Sequence, residues 1–253
     1  MAGLSLYAKL INSRLLHVFW QIVDWLYPPH CCKCGLLGFR ICPECWGSIQ
    51  KMDKNICIRC GDVLNSNKYR ICERCHANPP MYAELKSFAQ YQGSISFAVQ
   101  SIKYKRDFGL VEVFISPLKE IIAKSQWQAD FICPVPLGVK RKLERGYNQA
   151  ALIAYWLALD IGLPYMPEAL LRVKETTSQV GLGIKEREQN VQHAFSSIAK
   201  LVNGRSFIVV DDVATTGATI NACAQALLSG GAKRVYGLTI ARAIRLEDQI
   251  YSI

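Results

Sequence analysis

The segment Phe207-Ile208-Val209-Val210-Asp211-Asp212-Val213-Ala214-Thr215-Thr216-Gly217-Ala218-Thr219 constrains the fold more than any other part of the chain. Four β-favouring apolar residues in a row suit a strand covered on both faces, as in a parallel sheet, and residues 220–228 that follow have a helical pattern. The Thr- and Gly-rich turn between them therefore lies at a helix N-terminus. There, unpaired backbone N–H groups and the positive end of the helix dipole favour a phosphate, and the hydroxyls of Thr215, Thr216 and Thr219 add donors. Asp211 and Asp212 are placed to accept hydrogen bonds from a vicinal diol, such as the 2- and 3-hydroxyls of a ribose whose 5-phosphate lies in the loop. The alternative, a purely structural strand-turn-helix connection, leaves the acidic pair unexplained. Two carboxylates beside a phosphate repel it unless a sugar or metal lies between.

From Met81 onward, helix and strand patterns alternate. Helices are predicted near 94–105 and 109–124, a strand at 130–135, a helix at 148–162, a strand near 168–173 and a helix near 185–194. Strand 207–212, helix 218–229 and strand 234–241 complete the series. Alternation of this kind predicts an α/β fold with a mostly parallel sheet covered by helices and ligands at the carboxyl ends of its strands. At 253 residues and 51% hydrophobic content, the chain has room for one medium α/β domain and a smaller module.

Cysteine usage defines that module. Of eleven cysteines, eight form four Cys-x-x-Cys pairs: Cys31/Cys34, Cys42/Cys45, Cys57/Cys60 and Cys72/Cys75. Two thiolates at this spacing grip one Zn²⁺ from a knuckle turn, and a second pair completes a closed, structural Cys₄ site. Gly35 and Gly61, directly after Cys34 and Cys60, suit the turns that close such knuckles. If neighbouring pairs share a metal, the sites are Cys31, Cys34, Cys42, Cys45 and Cys57, Cys60, Cys72, Cys75; an interleaved pairing remains open at this level. Disulfides are the alternative, but there is no clear secretory signal, so a reducing, cytoplasmic setting is expected. Cys32 adjoins a ligand pair without keeping the spacing, and Cys133 and Cys223 have the surroundings of core residues.

The linker Asn78-Pro79-Pro80 marks a boundary, giving an expected division into an N-terminal helix (1–28), a cysteine module (29–78) and the α/β domain (81–253). Leu6, Leu10, Leu15, Val18, Phe19, Ile22 and Leu26 fall at mostly three- and four-residue spacing, which predicts an amphipathic helix ending before Pro28-Pro29. Arg14, His17, Gln21 and Asp24 interrupt it, so no transmembrane segment is expected and packing on the protein itself or on a partner competes with membrane-surface binding. The formal charge of +10 falls to about +6 once two Zn(Cys)₄ centres of about −2 each are included. That excess fits a polyanionic partner or substrate without saying which.

Read in order, the four cysteine pairs, Cys133-Pro134-Val135-Pro136-Leu137, Lys140-Arg141-Lys142-Leu143-Glu144-Arg145-Gly146-Tyr147-Asn148-Gln149 and the Asp-Asp-x-x-Thr-Thr-Gly loop resemble the ComF family over nearly the whole chain from about Trp25. The resemblance implies a double zinc ribbon followed by a type I phosphoribosyltransferase-like domain, with a link to DNA uptake and natural competence. It implies that Ala214, Thr215, Thr216, Gly217, Ala218 and Thr219 form a loop for phosphoribosyl pyrophosphate (PRPP), that Asp211 and Asp212 hold the ribose diol and stabilise charge at the anomeric carbon, and that Mg²⁺ accompanies the pyrophosphate. Val135 and Pro136 match the loop that contacts pyrophosphate, where prolines remove N–H donors. Lys140, Arg141 and Arg145 are placed to help, Arg145 as the best bidentate candidate, although a solvated basic helix start is the plainer reading. Thr176-Thr177-Ser178-Gln179-Val180-Gly181-Leu182, with Arg187 and Asn190, resembles a segment that could close over the sugar; a surface loop is the alternative. Lys103, Lys105 and Arg106 form a further basic cluster that could serve a nucleic-acid strand or face solvent.

The function implied is PRPP binding with transfer of the phosphoribosyl group to an acceptor that no motif declares. A second reading is a non-catalytic, PRPP-regulated factor that binds single-stranded DNA or docks DNA-uptake proteins, with scattered tyrosines such as Tyr69, Tyr82, Tyr91, Tyr104 and Tyr147 available for stacking or placed in the core.

Overall fold

The computed structural model describes residues 28–52, 55–64, 69–174 and 193–244. The expected N-terminal helix and the segment with Thr176 to Asn190 lie outside the described residues, as does nearly all of the expected helix near 185–194. Two short helices carry the cysteine knuckles, α1 (Pro43–Gly47) and α2 (Glu73–Ala77). The α/β part follows as β1 (Glu84–Gln90), α3 (Gly93–Gln100), a π-helical turn (Ser101–Lys105), α4 (Gly109–Ser125), β2 (Phe131–Pro134), α5 (Val139–Arg145) and α6 (Gln149–Ile161). Then come β3 (Leu170–Arg172), β4 (Phe195–Ser197), α7 (Ala199–Val202), β5 (Ser206–Ala214), α8 (Ala218–Ser229) and β6 (Arg234–Arg242). Among the described residues no helix is long and apolar enough to cross a membrane.

Four strands form a parallel sheet in the order β1-β6-β5-β2. β5 is central, and Phe207 to Val210 are fully buried, as expected of a strand covered on both faces. Alternate residues feed two cores. On one face Ile208, Val210, Leu238 and Ile240 pack with Phe114, Leu118, Ile153 and Leu157 from α4 and α6. On the other, Phe207, Val209 and Val235 pack with Ile220, Cys223 and Leu227 of α8. Each such side chain contributes roughly 1.5–3 kcal/mol relative to exposure.

The first cysteine knuckle leans on the first face, where Trp46 stacks on Phe88 with ring centroids 5.7 Å apart and meets Phe114. The chain after it covers the outer edge of β1, with Met52 N–H donating to Phe88 O at 2.9 Å and Gln90 N–H to Gln50 O at 2.8 Å, which removes an open sheet edge. The second knuckle joins the other core: Cys57, Cys60 and Cys75 pack with Tyr82 and Leu85.

Two departures from the expected pattern have local causes. Residues 84–90, unassigned by periodicity, form β1; its polar Ser87 is buried because its hydroxyl pairs with that of Thr239 at 2.7 Å, so the strand lacks an apolar signature. The strand expected near 168–173 is only Leu170–Arg172 and pairs antiparallel with Phe195–Ser197 in a separate ribbon, outside the parallel sheet.

Candidate functional site

β5 runs through both aspartates and ends at Ala214, two residues beyond the expected end of the strand, before the Thr215-Thr216-Gly217 turn leads into α8. Gly217, at φ +82°, is the N-cap of α8, and a Cβ there would stand 2.9 Å from Tyr82 Oη. Only glycine meets both demands at low cost. Gly217→Ala is expected to destabilise the fold by about 1–3 kcal/mol, read from the urea midpoint. Thr216 Oγ1 accepts from Ala218 N–H at 3.2 Å, so this hydroxyl is engaged in shaping the turn.

Successive side chains of an extended strand leave on opposite sides, so the two carboxylates flank the backbone. Asp212 is buried, while Asp211 is half-buried and accepts from Asp212 N–H at 2.9 Å. Burial, and then the negative charge of Asp212, push the Asp211 carboxyl up to about 7, against the pull of Lys103 and Arg141.

Lys103 is the residue that sequence reasoning missed. The sequence groups it with Lys105 and Arg106 as a cluster for a nucleic-acid strand or for solvent, yet its Nζ lies 2.9 Å from Asp212 Oδ1 with only 19% of the side chain exposed. Burial works against the ammonium, but Asp212, reinforced by Asp211, outweighs it and raises its pKa. The sequence signal was weak because the helix that carries it changes from α to π at Ser101, which alters the face on which residues 101–105 project. Arg106, in the left-handed conformation at φ 58°, ends the turn.

The basic stretch that follows the carboxyl end of β2 folds into α5, none of whose residues is buried. Arg141 faces Asp211 closely enough to lower its pKa, Lys140 is exposed, and Arg145 lies over the Tyr104 ring with its guanidinium carbon 5.2 Å from the centroid. Val135 N–H is already committed to Val210 O at 2.9 Å and Pro136 has none, so the backbone of this loop offers little to an anion and its charge must come from α5. Gly146, at φ +80°, ends α5. Tyr147 Oη then donates to Ile102 O, and Asn148 caps α6, its Oδ1 accepting from Ala150 N–H and its Nδ2 donating to Val135 O, both at 3.0 Å. Asn148→Ala removes the cap and the tie to the β2 loop together, with an expected loss of about 1–2 kcal/mol in a denaturant titration.

The cysteines form two clusters, Cys31, Cys34, Cys42, Cys45 and Cys57, Cys60, Cys72, Cys75, so neighbouring pairs come together and the interleaved pairing is excluded. In each, one ligand atom per residue lies within 4.8 Å of every other. The Sγ atoms of Cys34 and Cys42 are 3.7 Å apart, as are those of Cys60 and Cys72. A tetrahedron with Zn–S bonds of about 2.3 Å has edges of about 3.8 Å, so the thiols fit structural zinc. Cys32 stands outside, its Sγ directed to Ser94 O, and Cys133 and Cys223 are fully buried.

A parallel sheet whose central strand delivers an acidic pair and a Thr/Gly turn to a helix N-terminus, with a pair of zinc ribbons ahead of it, defines a type I phosphoribosyltransferase-like protein carrying an N-terminal double zinc ribbon. Family models agree: "Double zinc ribbon domain" matches residues 22–76 and "Phosphoribosyl transferase domain" residues 147–251. The chain belongs to the ComF family. It is 30% identical over 209 residues to "DNA utilization protein YhgH" of Escherichia coli (strain K12), covering 81% of this chain and 91% of that protein. It is 29% identical over 229 residues to "Competence protein F" of Haemophilus influenzae, covering 83% and 99%. Among solved structures, an adenine phosphoribosyltransferase is 18% identical with a TM-score of 0.39, over 58% of this chain and 78% of that one.

Proposed function

We propose that this protein binds PRPP, or a related ribose 5-phosphate, with Mg²⁺ at the β5–α8 loop and transfers the phosphoribosyl group to an acceptor in the service of DNA utilization. The observation that carries this reading is the acidic pair at the carboxyl end of the central strand, directly before a glycine-capped helix N-terminus. The loop residues 214–219 take the 5-phosphate, Asp211 and Asp212 accept from the ribose hydroxyls, and Arg141 with Lys140 and Arg145 draws the pyrophosphate toward α5. Asp211 and Asp212 are the residues beside which Mg²⁺ would be held, and it would supply charge neutralisation for the leaving group. As the C–O bond to pyrophosphate breaks, positive charge develops at the anomeric carbon, and the carboxylates stabilise it; positioning and electrostatics account for the rate. In this reading, Lys103 holds Asp212 in the ligand-free protein and yields one of its acceptor positions to the sugar.

Titration calorimetry with PRPP and Mg²⁺, followed by a pyrophosphate-release assay over bases and amines, tests the proposal. Binding with release supports a transferase and identifies its acceptor class. Binding without release leaves a PRPP-responsive factor, and the absence of binding rejects the reading.

One observation favours that second, non-catalytic reading. A groove of about 470 Å³ at the opposite, amino-terminal edge of β1 and β6 is lined by Arg59, Arg70, Lys86, Lys124 and Arg234. Lys86 pairs with Glu84 and Lys124 with Glu120, whereas the three arginines have no side-chain partner among the described residues. Such a surface suits the backbone of single-stranded DNA. Fluorescence anisotropy with a labelled oligonucleotide tests it: affinity falling steeply with salt, and lost on replacing Arg59, Arg70 and Arg234 with alanine, supports the reading, and unchanged affinity in that variant rejects it.

A further inference from the structure

The two zinc ribbons repeat one another, Arg40-Ile41-Cys42-Pro43-Glu44-Cys45 in the first and Arg70-Ile71-Cys72-Glu73-Arg74-Cys75 in the second. They diverge at the two residues between the ligands, Pro43-Glu44 against Glu73-Arg74. Glu44 is exposed, but Arg74 reaches across to the turn after β5, where its Nη1 donates to Thr216 O at 3.1 Å. Its Nη2 lies 3.4 Å from Asp62 Oδ2, and the other oxygen of Asp62 accepts from Arg242 Nε at 2.9 Å. Arg242 is fully buried at the end of β6, in register with Ala214, the residue at which the loop begins. Asp62 belongs to the zinc knuckle itself, because its carbonyl accepts from Cys57 N–H at 2.7 Å. Tyr82 closes the same side of the turn against Gly217.

The direction of that carbonyl has a consequence. In a planar trans peptide, the C=O of one residue and the N–H of the next point opposite ways. With Thr216 O held on the ribbon side, Gly217 N–H is turned to the other side, where an anion at the N-terminus of α8 would sit. Within the turn, Thr216 Oγ1 bonds to Ala218 N–H and does not itself engage the Thr216 carbonyl.

We propose that the second zinc ribbon holds the phosphate loop in its anion-binding conformation and that Arg74 is the positioning residue through which it does so. Metal keeps the Cys72–Cys75 turn folded, the turn and Asp62 fix the guanidinium, and the guanidinium sets the Thr216–Gly217 peptide. Zinc in this ribbon thus becomes a requirement for ligand binding at a loop far along the chain. The consequence for ligand rests on the phosphate-loop reading above; the clamp itself does not.

The test uses the full chain with Arg74→Ala, Arg74→Lys and, as a control in the equivalent position of the first ribbon, Glu44→Ala. Three quantities are read: zinc per chain, amide hydrogen exchange over residues 214–219 without ligand, and calorimetric affinity for PRPP with Mg²⁺. Arg74→Ala is expected to keep both zinc ions while exchange in the loop quickens about tenfold or more. Its affinity is expected to drop about tenfold or more. Arg74→Lys, which keeps one donor, recovers part of both, and Glu44→Ala changes neither. Loop exchange equal to wild type in a zinc-replete Arg74→Ala protein overturns the proposal. If wild type shows no PRPP heat yet Arg74→Ala still loosens the loop, the clamp stands and the reading of the loop's ligand fails.

Discussion

Removing zinc with a strong chelator is expected to unfold much more than the cysteine-bearing segment. Structural zinc is bound with about 10–16 kcal/mol of apparent free energy, and that energy is folding energy, since the unfolded chain has no preformed site. A whole domain of ordinary size is stable by only about 5–15 kcal/mol. Here, Cys57, Cys60 and Cys75 belong to the same core as Phe207, Val209 and Ile220, while Trp46 of the first ribbon stacks on Phe88 of β1. Loss of metal therefore opens both faces of the sheet. The melting temperature of the stripped protein is expected to fall by more than about 10 °C, since each kcal/mol corresponds to about 2–4 °C at this size. Cys60→Ser, at a fully buried ligand of the second ribbon, should cost more than Cys34→Ser, at an exposed ligand of the first. An unchanged melting curve after complete zinc removal would mean the ribbons are mere appendages.

The second large effect divides two neighbouring carboxylates. Asp211→Asn is expected to stabilise the free protein above pH 7 and Asp212→Asn to destabilise it. In the folded state, the Asp211 carboxyl is pushed up to about 7 from its ordinary 3.8, so the native protein binds this proton more tightly than the unfolded chain does. Its favourable contribution is complete below pH 4 and is lost as pH rises through 7. Removing the charge returns about 1–2 kcal/mol at pH 8, after allowance for solvent screening of a half-buried group. Asp212 is the partner of Lys103, and removing it leaves a largely buried ammonium without its ion pair, at about 2–4 kcal/mol. Melting temperatures at pH 5 and pH 8 check both signs; a drop for Asp211→Asn at pH 8 contradicts the assignment.

Ligand affinity follows another rule, because the sugar hydroxyls need ionised acceptors. Both variants are expected to bind PRPP at least about tenfold more weakly at pH 8, about 1.4 kcal/mol. Wild-type affinity should climb with pH up to about 7 and then level off. The second ionisation of a phosphate group, near pH 6, is common to wild type and Asp211→Asn, so the difference between their pH profiles isolates Asp211. Stability gained and affinity lost by one substitution is the mark of a residue retained for its ligand.

What could be read without a structure was whatever the chain writes into short spacings. Strand 207–212 and helix 218–229 were legible because burial, turn chemistry and capping act within a few residues, and the eight zinc ligands because a knuckle needs two thiols at Cys-x-x-Cys spacing. Their grouping into two metal sites was not, since Cys-x-x-Cys repeats equally in either pairing. β1 escaped notice because Ser87 is buried only by virtue of Thr239, 152 residues away. Arg74 on Thr216, 142 residues apart, and Lys103 on Asp212 left no periodic trace for the same reason. The sequence by itself determined the central strand-turn-helix unit and which eight thiols stand at metal-ligand spacing. The tertiary structure alone decided which cation pairs with Asp212 and which ribbon's arginine reaches Thr216, because a side chain's partner across the fold depends on how whole elements pack and not on its neighbours in the chain.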